Sequence, residues 1–126
     1  MTIKLHHTDS APGAIGPYSQ AVSVDGWLYT SGQVGIDPAT GELHDGFEAQ
    51  AKQVIANLRA VLATADATFD DVVKATIYVA DMGDFARLNE LYGEAMGSHR
   101  PARSTVQAAA LPKGALVEID LVVRLS

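Results

Sequence analysis

Short alternating runs of apolar and polar residues predict the strands of this chain. Residues 2–6 and Val72–Val79 alternate with the period of two that is typical of half-buried strands. Two further runs, Ala21–Val24 and Trp27–Thr30, flank the pair Asp25-Gly26, which accepts the positive φ angles of a tight turn. We therefore expect these two runs to pair as a hairpin.

Two longer segments have the period of amphipathic helices. The first follows Asp45, which has the capping-box spacing with Glu48, three residues later. Its apolar stripe consists of Phe47, Ala51, Val54, Ile55, Leu58, Val61 and Leu62. The second covers residues 84–96, and Gly97 is the expected stop. Each stripe is predicted to pack on a sheet.

Residues 100–123 are predicted to form a second hairpin around the turn Pro112-Lys113-Gly114. Counting back from this turn, the alternation puts Arg103 and Thr105 on the same face as Glu118 and Asp120. The facing strand positions 117, 119, 121 and 123 are apolar and would form the core side. This hairpin therefore predicts one polar face that carries the candidate chemistry.

An arginine beside carboxylates on a strand pair has two interpretations. One is a cross-strand ion pair between Arg103 and Glu118 or Asp120, worth roughly 0.2–1 kcal/mol. The other is a pocket in which the guanidinium binds a substrate carboxylate while Glu118 handles a proton or a water molecule. The pattern by itself leaves both open.

The order of elements predicts an α+β fold, with a single mixed sheet and two helices packed on one face. At 126 residues, the chain has the length of one domain, so residues 1–126 are expected to form a single domain. The other sheet face would expose Val72, Tyr78 and Val122. Such a surface favours burial against another copy of the chain.

Composition narrows the classes of function. The net charge is −6, from 15 acidic and 9 scattered basic residues, and this charge disfavours nucleic acid as a partner because it repels phosphate. No apolar run has the length of a membrane span or a secretion signal, so we expect no membrane partner and a cytoplasmic location. The chain has no cysteine, and its four histidines lack metal-ligand spacing. We expect neither a metal nor a cofactor.

Several ordered motifs resemble one known family. They are Pro101-Ala102-Arg103-Ser104-Thr105-Val106, Leu111-Pro112, Val117-Glu118-Ile119, Ala14-Ile15-Gly16-Pro17-Tyr18-Ser19-Gln20, Thr30-Ser31-Gly32-Gln33, and Asp84-Phe85 with Asn89. Together they resemble the RidA family of reactive intermediate deaminases, also called YjgF or L-PSP proteins. The resemblance implies a chorismate-mutase-like (RidA-like) fold and a homotrimer with clefts between subunits. It also implies hydrolysis of 2-enamine and 2-imino acids, such as 2-aminoacrylate and 2-iminobutyrate, to 2-keto acids and ammonia.

The resemblance assigns catalytic roles to two residues. Arg103 matches the arginine that holds the substrate carboxylate through two hydrogen bonds, and Glu118 matches the glutamate that positions or activates the attacking water. Asp120 has no matching role and is expected to be structural.

The same resemblance assigns substrate-binding roles to four further residues. Tyr18 matches a tyrosine that covers the pocket, and Gly32 matches a backbone amide that reaches the ligand. Ser31 matches a serine near the pocket, although a turn-stabilising hydroxyl would explain it equally well. Thr105 stands where many members have cysteine, which favours water attack over a thiol nucleophile. Asn89 is expected to satisfy local backbone groups rather than touch the substrate.

Three classes of function therefore remain from the sequence. The first is the imine deaminase, the second an endoribonuclease or translation inhibitor of the L-PSP type, and the third a non-catalytic ligand sensor or chaperone that uses the same pocket. A sensor needs Arg103 to bind its ligand, whereas only the enzyme also needs Glu118.

Overall fold

The computed structural model describes residues 2–126, in which seven strands form one mixed sheet beside two helices. The elements in chain order are β1 (Lys4–His6), β2 (Ala21–Val24), β3 (Trp27–Thr30), β4 (Gln33–Val34), α1 (Phe47–Ala63), β5 (Val72–Val79), α2 (Phe85–Met96), β6 (Ala102–Gln107) and β7 (Val117–Arg124). Single 3₁₀ turns lie at Phe69–Asp71, Met82–Asp84 and Pro112–Gly114. Both helices and the strands of the first hairpin have the predicted type and position.

The strands follow the order β1-β2-β3-β7-β5-β6, and β4 pairs with β7 beyond the end of β3. All neighbouring strands are antiparallel except β5 and β6, which are parallel. The predicted hairpin of β2 and β3 is confirmed, with Val24 opposite Trp27. Its turn residues Asp25 and Gly26 have φ angles of 52° and 82°, as a tight two-residue turn requires.

Both helices pack on the same face of the sheet, as predicted. The core joins α1 and α2 to the inward side chains of the central strands, and its largest fully buried members are Leu28, Val54, Leu58, Val61, Leu62, Val72, Ile77, Val79, Leu88, Val117, Leu121 and Val123. Neither helix in residues 2–126 is long and apolar enough to cross a membrane.

The predicted capping box at the start of α1 is wrong. Gly46 is the N-cap residue, and no side chain caps the helix there. Glu48 instead accepts hydrogen bonds from Lys52 and, across to the second helix, from Arg87. The carboxylate therefore ties the two helices together rather than closing the first turn of α1.

The predicted hairpin of β6 and β7 is also wrong. After β5, helix α2 crosses over the sheet and returns the chain as β6, which pairs in parallel with β5. β7 pairs with the other edge of β5. The connection crosses the end of β5, where Ala108 donates its backbone N–H to Val79 O (2.9 Å) and Ala80 donates to Leu116 O (3.0 Å). β5 therefore separates the two strands that were expected to be neighbours.

The predicted position of Val72 on the open face of the sheet is wrong because β5 contains a bulge. The register of β5 with β7 shifts between Val72 and Lys74, so Val72 points into the core while Val73 is exposed. Tyr78 and Val122 do lie on the face away from the helices, each partly exposed. Large apolar side chains on that face also include Leu5, Tyr29 and Val106, with exposed fractions of 67%, 48% and 47%.

Polar side chains of α1 hold β4 and its following loop in position. Asn57, fully buried, donates to Val34 O (3.3 Å) and Ile36 O (3.0 Å). Gln50 donates to His44 O and accepts from the backbone N–H of Leu116. A short edge strand has few ladder bonds of its own, so these contacts supply much of what fixes β4.

Gly35 marks the closest approach of this loop to α1 and gives a direct test of that packing. A Cβ at Gly35 would lie 2.6 Å from Gln50 Cα and 2.8 Å from Gln50 O, and backbone atoms cannot swing away. We expect Gly35→Ala to lower the free energy of unfolding by about 1–3 kcal/mol through overpacking. Gly13→Ala is the control, because nothing lies within 4 Å of its added methyl group. Urea unfolding followed by circular dichroism measures both, and equal stability of the two variants would contradict the packing described.

Candidate active site

Arg103 and Glu118 lie on opposite faces of the sheet, contrary to the prediction. Arg103 is opposite Ala75 in the β5–β6 register, and Ala75 is fully buried beneath the helices. Glu118 is opposite Tyr78 in the β5–β7 register, on the open face. The hypothesis of an Arg103–Glu118 or Arg103–Asp120 ion pair is therefore wrong within one chain. The candidate residues fall into two groups, an arginine depression and a glutamate groove.

The arginine depression lies between β6 and α2. Its volume is about 290 Å³, and it is lined by Asn89, Tyr92, Gly93, Arg100, Pro101 and Arg103. The Arg103 guanidinium carbon lies 5.5 Å from the centre of the Phe85 ring and 5.1 Å from that of Tyr92. Arg103 makes no hydrogen bond or ion pair with any other side chain or carbonyl of residues 2–126. Its N–H groups therefore remain available to an anionic ligand.

Two buried hydroxyls near this arginine also lack partners. Within residues 2–126, Tyr92 Oη and Thr105 Oγ1 are both buried without a hydrogen bond. Burial raises the pKa of Tyr92, although the positive charges of Arg103 and Arg100 act in the opposite direction. Thr105 was predicted to bind substrate, and its place opposite Ile77 puts it on the same face as Arg103.

The glutamate groove lies on the other side of the sheet. It encloses about 490 Å³ and is lined by Ile15, Tyr18, Ser31, Gly32, Val34, Ile36, Pro112, Lys113 and Glu118. The structure thus brings Tyr18, Ser31 and Gly32 together with Glu118, as the sequence motifs implied. It does not bring them to Arg103 or Thr105.

Hydrogen bonds fix the loops that form the groove. Tyr18, with an exposed fraction of 51%, accepts through its hydroxyl from the backbone N–H of Ile15 at 3.2 Å. Ser31 donates its hydroxyl proton to Ser19 O at 2.6 Å. The serine hydroxyl therefore stabilises the loop, and Ser31 also lines the groove, where its substrate-binding role stays a prediction.

Gly32 allows the Glu118 carboxylate to lie against the backbone. Between the pairs Tyr29–Val122 and Gln33–Ile119, three residues of the β3–β4 segment face two of β7, which bulges the chain at this point. A Cβ on Gly32 would lie 2.6 Å from Glu118 Oε2 and 2.7 Å from its Cδ. A larger residue at position 32 would therefore displace the Glu118 carboxylate from its present position, a reason for glycine that the sequence did not reveal.

The surroundings of Glu118 favour its protonated form more than water does. Burial, and after it the negative charge of Asp120, raises the pKa of Glu118. Burial also raises the pKa of Asp120. Neither carboxylate has a hydrogen-bond or ion-pair partner within residues 2–126. The structural role expected for Asp120 therefore has no supporting contact.

The sequence analysis did not predict site roles for Lys113, which lines the glutamate groove, or for Asn89, which lines the arginine depression. Lys113, at a positive φ of 57°, lines the glutamate groove and brings a cation to it. Asn89 lines the arginine depression, and its side chain makes no hydrogen bond to the backbone of residues 2–126, contrary to expectation. The motif that includes Asp84, Phe85 and Asn89 was the only sequence signal for the latter. Nowhere in residues 2–126 do three or more histidine or carboxylate side chains cluster as metal ligands would.

Comparison with known proteins identifies the family. The family model described as endoribonuclease L-PSP matches residues 8–125. The chain belongs to the RidA, or L-PSP, family. The RidA resemblance of its motifs is thereby confirmed.

Known RidA relatives match over nearly the whole chain. The human 2-iminobutanoate/2-iminopropanoate deaminase is 50% identical over 116 residues, which are 91% of this chain and 85% of that protein. The crystal structure of RidA from Psychrobacter sp. PAMC 21119 matches with a TM-score of 0.94 and 47% identity, covering 97% of this chain and 99% of that chain. The crystal structure of E. coli TdcF with bound serine matches with a TM-score of 0.92 and 37% identity, covering 98% and 99%. The two helices and mixed sheet therefore fit the α+β RidA fold.

The electrostatic interaction between Glu118 and Asp120 can be tested without reference to activity. Replacing Asp120 by asparagine removes a negative charge while keeping the shape of the side chain, so we expect the pKa of Glu118 to fall. Asp66→Asn is the control, because the charge of Asp66 is not among those that act on Glu118 and asparagine tolerates its positive φ of 55°. Carbon-13 NMR titration of the Glu118 carboxyl measures the change, and an unaltered pKa in Asp120→Asn would show that the two charges do not interact.

Proposed function

We propose that this RidA protein is a 2-iminobutanoate/2-iminopropanoate deaminase that hydrolyses reactive 2-enamine and 2-imino acids. Water adds to the carbon of the C=N bond to give a tetrahedral intermediate. The nitrogen takes up a proton and leaves as ammonia, and the carbon retains the oxygen as the carbonyl of a 2-keto acid. The small-molecule partners are thus 2-imino and 2-keto acids.

The observation that carries this proposal is the free guanidinium edge of Arg103. A partly buried cation without a partner is costly unless a ligand completes it, and a carboxylate accepts two parallel hydrogen bonds from a guanidinium. The relatives give independent support, since one is named for this reaction and another was crystallised with serine, which carries a carboxylate on its α-carbon.

We further propose that the site is shared between subunits of a homotrimer. Arg103 and Glu118 lie on opposite faces of one sheet, so a single chain cannot present both to one small substrate. A second copy whose glutamate groove covers the arginine depression would unite them. The exposed apolar side chains Leu5, Tyr29 and Val106 provide a surface for such packing. The number three comes from the family.

Within this shared site, Arg103 binds the substrate carboxylate and Glu118 acts on water. A carboxylate whose pKa is raised is a stronger base, and once it carries the proton it can deliver that proton to the leaving nitrogen. Gly32 offers its backbone amide beside Glu118, Tyr18 covers the groove, and Ser31 fixes its wall. Thr105 lies beside Arg103 on the opposing half.

The name of the family model also raises an endoribonuclease function. A phosphodiester backbone would meet a chain of net charge −6. In the groove, Lys113 brings one cation, but the phosphodiester would also meet Glu118, on which the negative charge of Asp120 acts. The electrostatics therefore favour the deaminase over the nuclease.

A cytoplasmic location is part of the proposal, because a chain without cysteine suits a reducing compartment.

The trimer predicts a mass of three chains in solution. Multi-angle light scattering across micromolar concentrations should give about 40 kDa, three times the chain mass of 13.3 kDa. A chain that remains monomeric over this range would overturn the trimer and the shared site together.

Replacing Arg103 should weaken ligand binding, whereas replacing Glu118 should slow turnover without loss of binding. Arg103→Ala removes the carboxylate partner, so we expect the binding of 2-ketobutyrate to weaken by about 2–5 kcal/mol and turnover to be lost. Glu118→Gln keeps the shape of the side chain but cannot take a proton, so binding should persist while the rate falls by about 10²–10⁴-fold. Calorimetry and ammonia release from enzymatically generated 2-iminobutyrate measure the two effects.

Two controls sharpen this comparison. Arg59→Ala removes an arginine that also stacks on an aromatic ring, Phe69 at 5.0 Å, but lies outside both halves of the site, so it should behave as wild type. Mixing the Arg103→Ala and Glu118→Gln proteins and allowing subunits to exchange should restore about one quarter of the wild-type rate, because one interface in four receives both intact residues. An inactive mixture of exchanged subunits would contradict a site shared between copies.

A further inference from the structure

We propose that the rings of Phe85 and Tyr92 form an aromatic clamp that contacts the flat faces of the Arg103 guanidinium group and so fixes its position. The N–H groups around the edge of the guanidinium then remain free to bind the substrate carboxylate. This inference rests on the proposed function. It assigns a role to Phe85, which the motifs include without a function, and to Tyr92, which they leave out. The two rings are positioning residues, because they act on the substrate through Arg103.

The clamp is a product of helix spacing. Phe85 and Tyr92 are seven residues apart on α2, which is two turns, so both rings lie on the side of the helix that faces β6. The guanidinium carbon lies within cation–π distance of both ring centres, at 5.5 Å and 5.1 Å. Arg103 in turn is held by the β5–β6 ladder opposite Ala75.

The kind of contact matters for function. A carboxylate partner would hold Arg103 by the same N–H groups that a substrate needs, whereas aromatic rings stabilise the cation without using them. Among residues 2–126, no acceptor competes for those groups. A side chain held in one orientation also loses less conformational freedom when the ligand binds. The clamp therefore prepares the arginine for a planar, two-pronged contact.

At Tyr92, the contribution of the aromatic ring can be tested separately from that of the hydroxyl group. Tyr92 is only 8% exposed, and its hydroxyl has no partner within residues 2–126. If the ring face is what acts, phenylalanine should replace tyrosine without loss of ligand binding. Leucine keeps apolar packing at the same position but has no π face.

The experiment compares Tyr92→Leu, Phe85→Leu and Tyr92→Phe in the full-length protein, with Phe69→Leu as the matched control. Phe69→Leu removes the ring beneath a different arginine, Arg59, from the same core. We expect Tyr92→Leu and Phe85→Leu each to bind 2-ketobutyrate about 5–30-fold more weakly than wild type. Tyr92→Phe keeps the ring, so its affinity should stay within about twofold of wild type. Phe69→Leu should bind as wild type.

Kinetics separate positioning from loss of folded protein. A clamp defect should raise KM for the imine, whereas a smaller folded fraction lowers the apparent kcat and leaves KM unchanged. Wild-type binding in both clamp leucine variants would overturn the clamp. Equal loss in Tyr92→Phe and Tyr92→Leu would also overturn it, because the hydroxyl and not the ring would then be responsible.

A measurement that needs no substrate distinguishes failure of the clamp from failure of the proposed function. Ring currents of two stacked aromatics should shift the Arg103 side-chain NMR signals upfield, and each clamp leucine variant should remove part of that shift. If wild-type protein binds no keto acid while the shift is present, the proposed function fails and the stacking stands. If the keto acid binds through Arg103 but the shift is absent, only the clamp fails.

Discussion

The central position of β5 decides what the two faces of this sheet can do. Because α2 carries the chain over the sheet and returns it parallel to β5, Arg103 shares a face with Ala75 under the helices. Because β7 is antiparallel on the other edge of β5, Glu118 shares the opposite face with Tyr78. A hairpin of β6 and β7 would have put both on one face. The observed crossover instead divides the candidate residues between two surfaces of the chain, which is the reason for proposing a site shared between copies.

Both halves keep charged or polar groups partly buried without partners. Burial raises the pKa of Glu118 and of Asp120, and neither carboxylate has a hydrogen-bond or ion-pair partner within residues 2–126. On the other face, Arg103 has aromatic neighbours but no acceptor, and the hydroxyls of Tyr92 and Thr105 are orphaned. Unsatisfied groups of this kind are uncommon in a folded chain, and here they concentrate in the regions that the RidA motifs mark.

Close backbone packing gives the glutamate groove its shape. Gly32 lets the Glu118 carboxylate lie directly against the β3–β4 bulge, and Gly35 lets the following loop touch the backbone of Gln50. Buried amides of Gln50 and Asn57 then fix that loop to α1. The part of the groove wall that contains Val34 and Ile36 is consequently tied to α1 and the hydrophobic core.

The sequence by itself determined the elements, the first hairpin, the packing of both helices on one face, and the family, since these depend on local periodicity, turn chemistry and spaced motifs. Its spaced motifs also grouped Tyr18, Ser31, Gly32 and Glu118, which line one groove. It could not determine the partner of β6, because an alternating edge strand fits a parallel or an antiparallel neighbour equally well. The bulge after Val72, the distribution of Arg103 and Glu118 over two faces, and the stacking of Arg103 on Phe85 and Tyr92 follow from long-range strand pairing, which only the tertiary structure decides.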